Sequence, residues 1–194
     1  MYTVVGSVKT RSARVLWLLE ELGLPYTHLP AGPQSDLAFA HNPAGKVPVL
    51  IEGDASITDS TAILTYLADK HGAFTAPAGS LARARQDSMT QFLLDEFDAC
   101  LWTAARHSFV LPEEHRLPAI KDSLRWEYAR SLSRLSDRMV GPYLMGAEMT
   151  VPDIIATHCL GWGAAAKIGA PDGALAEYLA RMRARPAYIA TFAS

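Results

Sequence analysis

Apolar residues in the first thirty positions follow two different spacings. Two short runs, Tyr2–Val5 and Tyr26–Leu29, are rich in strand-forming residues and predict two β-strands. Between them, apolar side chains recur three and four positions apart, at Val15, Leu18, Leu19 and Leu22. This spacing predicts an amphipathic helix over 11–22, which Gly23 ends as a left-handed cap residue. A strand, a helix and a second strand in this order predict a right-handed crossover between parallel strands.

The alternation of strands and helices continues to about residue 71. A weak pattern over 37–41 predicts a short helix. Apolar runs at 47–51 and Ala55–Thr58 flank a turn of Glu, Gly and Asp, and together they predict a hairpin. The next apolar stripe predicts a helix over 59–71. The resulting order, βαβαββα, predicts a small mixed sheet covered by helices.

The character of the sequence changes after Gly72. Residues 73–80 contain glycine, proline and small side chains but no periodic pattern, so they are interpreted as a linker. The linker separates a predicted first domain, residues 1–72, from a second domain over 81–194. Helical patterns dominate that second domain, and no run in it convincingly predicts a strand.

Three long helices are predicted in the second domain. Two of them cover 81–110 and 113–140. The third begins after Thr150, which is spaced from Asp153 as in a capping box. Its residues are so apolar that we expect this helix to run through the middle of an all-helical domain.

Composition and charge exclude several classes of protein. Of the 194 residues, 49% are hydrophobic and 20% are charged, which provides a core and argues against disorder. The formal charge of −2 argues against general binding to nucleic acid or to an anionic membrane surface. No apolar run approaches the ~18 residues needed to span a bilayer, and the N-terminus does not resemble a signal peptide.

Individual residue types narrow the setting further. Cys100 and Cys159 cannot form a disulfide framework and suit a reducing compartment, so we expect a cytoplasmic protein. The six histidines lack metal-ligand spacing, so we expect no metal. The densest basic run, from Arg181 to Arg185, follows a helical pattern and favours a solvated C-terminal turn.

The most specific stretch is Asn-Pro-Ala-Gly-Lys-Val-Pro-Val-Leu at 42–50, followed by Asp59-Ser60. Pro48 cannot donate a ladder hydrogen bond, and a cis bond before it would free the Val47 backbone to pair with an extended ligand. A carboxylate is favoured at the helix start that Asp59-Ser60 marks, and Lys46 offers a cation for a second carboxylate. Taken singly, each feature is typical of ordinary strand ends and helix caps. Together they fit a small peptide with carboxylates at both ends.

Four ordered motifs give the chain a family resemblance. Residues 14–26, 42–50, 59–63 and 150–153 together resemble the glutathione transferase superfamily, and the likeness extends over essentially the whole chain. The resemblance implies a thioredoxin-like N-terminal domain (βαβαββα) followed by an all-α C-terminal domain. It also implies glutathione as co-substrate and a homodimer.

The resemblance further implies roles for individual residues. Val47 pairs its backbone with the cysteinyl part of glutathione, and Pro48 is the family's cis-proline. Lys46 lies near the glycyl end. Asp59 and Ser60 hold the γ-glutamyl end, although most members carry Glu where Asp59 stands. The Thr150–Asp153 capping box is a folding element with no ligand role.

The group that activates the thiol is expected in the loop after the first strand. A free thiol with a pKa of about 8.5 is only slightly ionised at neutral pH, so a transferase must lower that pKa. The family places Tyr, Ser or Cys in this loop, ahead of the first helix, whose positive end also helps. Here the loop contains no tyrosine or cysteine. Thr10 falls where serine-type members carry their hydroxyl, Ser12 and Ser7 are the alternatives, and all three could instead serve local turns.

The second substrate is expected against the helical domain. The resemblance implies a hydrophobic electrophile there, and the candidate contacts are Trp102, Arg106, His107 and Phe109. Each of the four could equally be a core or surface residue. Because the loop lacks a cysteine, thiol–disulfide exchange is disfavoured.

Two classes of function follow from these residues. The first is a glutathione S-transferase that joins glutathione to a hydrophobic electrophile. The alternative is a non-catalytic relative that binds glutathione or apolar ligands, or that serves as an interaction domain. A glutathione-dependent isomerase is less expected because the loop lacks the Ser-Ser-Cys sequence of such relatives.

Overall fold

The structure is a computed structural model, and it describes residues 1–193. Its contacts divide the chain into two compact units. Met1–Ala78 forms the first unit together with Arg183 and the residues that follow it, and Gly79–Met182 forms the second unit. The first unit contains the sheet, and the second is helical.

A four-stranded mixed sheet organises the first unit. Its strands are β1 (Tyr2–Val5), β2 (Tyr26–Leu29), β3 (Val49–Glu52) and β4 (Ala55–Thr58), in the order β2-β1-β3-β4. β1 is parallel to β2 and antiparallel to β3, and β3 pairs with β4 as a hairpin. The predicted parallel pairing of β1 with β2 and the predicted hairpin are therefore confirmed. β3 starts two residues later than predicted, after Pro48.

Three helices of this unit follow the predicted order: α1 (Ser12–Leu22), α2 (Asp36–His41) and α3 (Ser60–His71). Eight consecutive residues of α1, from Ser12 to Leu19, are buried. Gly23 adopts the left-handed conformation that the sequence predicts for the end of α1. α1 packs against α3, and the core between them and the sheet is aliphatic.

A last helix, α9 (Pro186–Ala193), packs on α1. The rings of Trp17 and Tyr188 meet edge to face with centroids 5.0 Å apart. Arg185 donates from Nε and Nη2 to the two carboxylate oxygens of Glu21, at 2.6 and 2.8 Å. Arg185 is thus an ion-pair partner and not part of a solvated turn. These contacts explain why the end of the chain groups with the sheet, whereas the sequence prediction assigned it to the helical domain.

The second unit contains five α-helices: α4 (Leu81–Leu93), α5 (Ala99–Ala105), α6 (Ile120–Arg138), α7 (Val151–Ala165) and α8 (Gly173–Arg183). The single helix predicted over 81–110 is interrupted by two π-helical turns, Leu94–Asp98 and Arg106–Val110. The helix predicted over 113–140 is wrong in its first turns. A 3₁₀ turn occupies Glu113–His115, and the α-helix begins only after Pro118, which favours an extended residue before it.

The centre of the second unit is α7, as predicted. Ten of its residues are buried, and it packs against α4 and α5. Its first turn carries the predicted capping box of Thr150 and Asp153. The ring of Tyr128 packs edge to face on Phe97 with centroids 5.2 Å apart, and its hydroxyl donates to the Cys159 carbonyl at 3.2 Å. Of the helices described in residues 1–193, none combines the length and apolar character needed to cross a membrane.

Candidate functional site

The strand register brings the three predicted site segments to one end of the sheet. Leu29, Val5, Val49 and Thr58 lie side by side across the four strands. The loop after β1 leaves this row at Val5, the segment 46–48 enters it at Val49, and Asp59 leaves it at Thr58. Residues far apart in sequence therefore meet at one end of the sheet.

Gly6 fixes the start of the loop after β1. Its φ of +147° lies outside the range that most residues adopt, and an added Cβ would lie 1.9 Å from Ser12 Oγ and 3.2 Å from Val47 Cβ. Its N–H donates to the Leu29 carbonyl at 3.0 Å, and its own carbonyl accepts from His28 Nε2 at 2.7 Å. Gly6 thus allows the loop, β2 and the segment before β3 to approach one another closely.

The Thr10 hydroxyl is committed to the loop itself. It donates to the Ser7 carbonyl at 2.7 Å, and it accepts from the Ser12 N–H at 3.2 Å. The Ser12 hydroxyl lies 2.9 Å from Thr10 Oγ1, and since the Thr10 proton is already used, Ser12 is the donor of that bond. Ser12 is fully buried at the start of α1. Thr10 and Ser12 therefore serve as turn and helix-start residues here.

Ser7 is differently placed. Its Oγ accepts from the Lys9 N–H at 3.2 Å, which leaves the hydroxyl hydrogen without a protein acceptor among residues 1–193. Ser7 is only partly buried. Of the three candidate hydroxyls, it is the one able to donate a hydrogen bond to a sulfur.

A turn built by Asn42 precedes the cis-proline. Asn42 Oδ1 accepts from the Ala44 N–H, and its Nδ2 donates to the Lys46 carbonyl, both at 3.0 Å. The Val47–Pro48 peptide bond is cis. Within the described part of the chain, the N–H and C=O of Val47 have no hydrogen-bond partner, so both can pair with an extended peptide. The Lys46 side chain is exposed beside them.

The N-terminus of α3 supplies the third segment. Asp59 Oδ1 accepts from the N–H groups of Thr61 and Ala62, at 2.8 and 3.0 Å, and caps the helix. Asp59 is exposed, and it has a φ of +72°, a conformation that costs a non-glycine residue about 1 kcal/mol or more. The buried Ser60 hydroxyl accepts from Arg14 Nη1 at 3.4 Å, so its own hydrogen remains able to donate. The cap thus leaves Asp59 Oδ2 and the Ser60 hydroxyl available to a ligand.

The four residues predicted to contact the second substrate belong to the second unit. Trp102 lies on α5, and Arg106, His107 and Phe109 lie on the π-helical turn that follows. Arg106 Nη2 donates to Thr103 Oγ1 at 2.9 Å, and His107 Nδ1 accepts from the Leu117 N–H at 3.0 Å. Phe109 is 70% exposed. Single π-helical turns are frequent at functional sites, and a binding role for this turn agrees with that tendency.

Three residues of the first site have no individual role predicted from the sequence: Arg14 and Asn42, which lie in its motifs, and His28. Arg14 is a fully buried cation on the apolar face of α1, and its position in an apolar stripe was an available signal. Asn42 precedes a proline, which is typical of a turn. Nothing in the sequence around His28 indicates its bond to Gly6. Among residues 1–193, no group of histidine, cysteine and carboxylate side chains is arranged to hold a metal ion.

The cysteines lie far from this loop in sequence, within the helical unit. Burial, together with the nearby carboxylates Glu127 and Glu96, raises the pKa of the Cys100 thiol to about 11. Its Sγ donates to the Leu124 carbonyl at 3.3 Å. Cys100 is therefore a protonated packing residue at neutral pH.

The first unit has a thioredoxin-like fold and the second is helical, and comparison with known proteins identifies proteins of the same architecture. Residues 6–77 match the family "Glutathione S-transferase, N-terminal domain". An Arabidopsis thaliana protein named glutathione S-transferase Z2 is 46% identical over 63 residues, which are 30% of this chain and 28% of that protein's length.

Two solved structures share the fold over nearly their whole length. A glutathione transferase from Methylococcus capsulatus str. Bath is 26% identical with a TM-score of 0.82, and the match covers 100% of this chain and 98% of the other. A sphingomonad glutathione S-transferase complexed with glutathione is 25% identical with a TM-score of 0.81, covering 98% and 97%. The chain belongs to the glutathione S-transferase superfamily.

Proposed function

We propose that the protein is a glutathione S-transferase that activates the thiol of glutathione for attack on a hydrophobic electrophile. The observation that carries the proposal is that three polar segments of the chain come together at one end of the sheet. There, the loop after β1, the segment with Val47 and the start of α3 adjoin the row of paired residues Val5, Val49 and Thr58. The glutathione complex of the sphingomonad relative supports the choice of ligand.

At this end of the sheet, the γ-glutamyl, cysteinyl and glycyl parts of glutathione each contact a different group of the protein. Its γ-glutamyl ammonium pairs with Asp59, and its γ-glutamyl carboxylate accepts from the Ser60 hydroxyl at the positive end of α3. The cysteinyl backbone pairs with the N–H and C=O of Val47, as an added strand does. The glycyl carboxylate lies toward the exposed ammonium of Lys46.

Ser7 is the proposed activating group. A hydroxyl that donates to the sulfur favours the thiolate over the thiol and so lowers the pKa of the bound thiol. Thr10 is the residue expected to activate the thiol from its sequence position. Its hydroxyl instead donates to the Ser7 carbonyl and so stabilises the loop. The electrophile is then attacked by the thiolate, which forms a carbon–sulfur bond and expels a leaving group or adds to a polarised double bond.

The electrophile is expected to contact Trp102, Arg106, His107 and Phe109. Their aromatic and apolar surfaces suit a hydrophobic substrate, and the Arg106 guanidinium suits a substrate with a negatively polarised substituent. Alanine substitution of Phe109, the most exposed of the four, is expected to raise the KM for the electrophile without changing the affinity for glutathione.

Steady-state conjugation of glutathione with an activated aryl halide tests the function and the choice of hydroxyl together. Removing the donor in Ser7→Ala is expected to lower kcat by about 10²-fold, the effect of losing one donor to a developing anion. Thr10→Val and Ser12→Ala alter the loop only indirectly and are expected to cost less. If wild type binds glutathione but turns over no electrophile, the protein is the non-catalytic relative; if Ser7→Ala retains full activity, the assignment of Ser7 is wrong.

Membership of the superfamily also supports the proposal of a homodimer. Sedimentation equilibrium at micromolar concentration is expected to return twice the mass of one chain. A mass of one chain would contradict the proposal.

A further inference from the structure

His28 makes a hydrogen bond that the proposed chemistry has not used. It lies on β2, the edge strand of the sheet, and is partly buried. Its Nε2 lies 2.7 Å from the carbonyl oxygen of Gly6. Because a carbonyl oxygen can only accept, the hydrogen of this bond is on Nε2. The imidazole is therefore a donor aimed at the residue immediately before Ser7.

The hydrogen bond from His28 orients the Ser7 N–H as well as the Gly6 carbonyl. The Gly6 carbonyl and the Ser7 N–H belong to one planar trans peptide, in which they point in opposite directions. Fixing the carbonyl toward β2 therefore fixes the Ser7 N–H away from β2. Among residues 1–193, that N–H has no hydrogen-bond partner, and neither does the hydrogen of the Ser7 hydroxyl.

The peptide plane has few other restraints. A second hydrogen bond to β2 runs from the Gly6 N–H to the Leu29 carbonyl at 3.0 Å, but it fixes the Val5–Gly6 peptide and not the Gly6–Ser7 peptide. Gly6 itself has no side chain to restrict rotation. On the other side of the loop, Thr10 Oγ1 holds the Ser7 carbonyl. His28 and Thr10 thus hold the peptide planes before and after Ser7.

We propose that His28 is a positioning residue for thiol activation: its Nε2–H···O=C bond to Gly6 orients the peptide that carries Ser7 and so aims the Ser7 donors at the sulfur of bound glutathione. The inference rests on the proposed function. It adds a residue from β2 that does not itself contact glutathione. The expected consequence is on the ionisation of the thiol and not on the affinity for the peptide, since Val47, Asp59 and Ser60 remain unchanged.

Three variants separate the hydrogen bond from the volume of the ring. His28→Phe keeps a ring but removes the donor. His28→Gln places an amide nitrogen near the position of Nε2 and restores a donor, whereas His28→Asn carries the same group on a shorter side chain that does not reach Gly6. Thr27→Val, on the same strand, is the matched control because, within residues 1–193, the only hydrogen bond of the Thr27 hydroxyl is a long one to the Met1 sulfur, at 3.9 Å.

The readouts are the ultraviolet thiolate band of bound glutathione as a function of pH, and kcat and KM with an activated aryl halide. In His28→Phe and His28→Asn the band is expected to appear only at higher pH, with kcat lowered by about tenfold, the value of one hydrogen bond. The KM for glutathione is expected to stay within about twofold, because uniform binding contacts are intact. His28→Gln is expected to recover most of the loss, and Thr27→Val to match wild type.

Each departure from this pattern has a distinct meaning. If wild type shows no thiolate band, the proposed function fails and this inference fails with it. If wild type shows the band and His28→Asn behaves identically, only the role of His28 is overturned. If the Gln and Asn variants lose activity equally, the Nε2 hydrogen bond is not the cause, and the inference is overturned as well.

Discussion

Two aspartates that cap helices in this protein have opposite surroundings. Asp59 begins α3 in the first unit, is exposed, and uses one carboxylate oxygen for two backbone N–H groups. Asp153 is the third residue of α7 in the second unit, where it completes the capping box of Thr150; it is fully buried and uses both oxygens. Its four donors are the N–H of Leu144, the hydroxyl of Tyr178, and the N–H and hydroxyl of Thr150.

The two aspartates differ in how many of their carboxylate oxygens are used inside the protein. Both carboxylate oxygens of Asp153 accept hydrogen bonds inside the protein, so these bonds stabilise the fold. Asp59 Oδ2 has no hydrogen-bond partner among residues 1–193, and the residue adopts a positive φ, which is typical of strained residues at binding sites. An aspartate at a helix start therefore stabilises the fold at Asp153, the N3 residue of α7, whereas at Asp59, the N-cap of α3, it leaves one oxygen for the proposed ligand.

The largest effect is expected for Asp153→Ala. Removing the carboxylate leaves four donors without their acceptor, two of them buried and two on the partly buried Thr150, so the free energy of unfolding should fall by about 3–5 kcal/mol. Chemical denaturation monitored by circular dichroism measures this change. The affinity of the remaining folded protein for glutathione should equal that of wild type; a selective loss of affinity would contradict the assignment of Asp153 to folding.

A smaller effect of a different kind is expected for Asp59→Asn. Asparagine caps helices well and tolerates positive φ, so stability should change by less than about 0.5 kcal/mol. The lost charge should weaken glutathione binding about tenfold, as expected for a charge-assisted hydrogen bond. Isothermal titration calorimetry measures the affinity. Unchanged affinity would show that Asp59 is only a cap.

Asp59→Glu tests the reach of this carboxylate. The longer side chain keeps the charge but caps less well, so we expect stability to fall by about 1 kcal/mol or less and affinity to change by less than about threefold. Comparison with Asp59→Asn in the same titration separates charge from geometry. A loss as large as that of Asn would indicate that position matters more than charge.

The smallest expected effect is the contribution of Asp153 to the pH dependence of stability. Burial raises the pKa of Asp153 above its usual value, and the four hydrogen bonds offset this only in part. The folded state then binds a proton at higher pH than the unfolded state. Relative to Asp153→Asn, wild type should therefore gain stability as the pH falls through the folded pKa toward the unfolded one. Denaturation curves at several pH values measure the difference; a steady relative loss would reverse the sign.

The fold was largely predictable because local patterns and tertiary packing agree in this chain. The β1–α1–β2 crossover, the hairpin and the Thr150–Asp153 capping box all carry local signals that the core then uses. The two π-helical turns and the grouping of α9 with α1 carry no such signal. The latter depends on Glu21 and Arg185, which are 164 positions apart.

The sequence indicates the segments of the candidate site but not its hydrogen bonds. Lys46, Val47 and Asp59 stand where the motifs place them, and their exposure or unused backbone groups agree with a binding role. The choice among Ser7, Thr10 and Ser12 could not be made from spacing, because it depends on which hydroxyl hydrogen is already used. His28 was missed because its partner is a backbone carbonyl 22 residues away.

The central claim is that this loop ionises glutathione, and the ultraviolet difference spectrum on adding glutathione at neutral pH tests it most directly. Wild type is expected to show the thiolate band, and Ser7→Ala is expected to bind glutathione with the band strongly reduced. If calorimetry shows that wild type binds glutathione but the spectrum shows no thiolate band, the thiol is not activated, and the account of this protein as a transferase is contradicted.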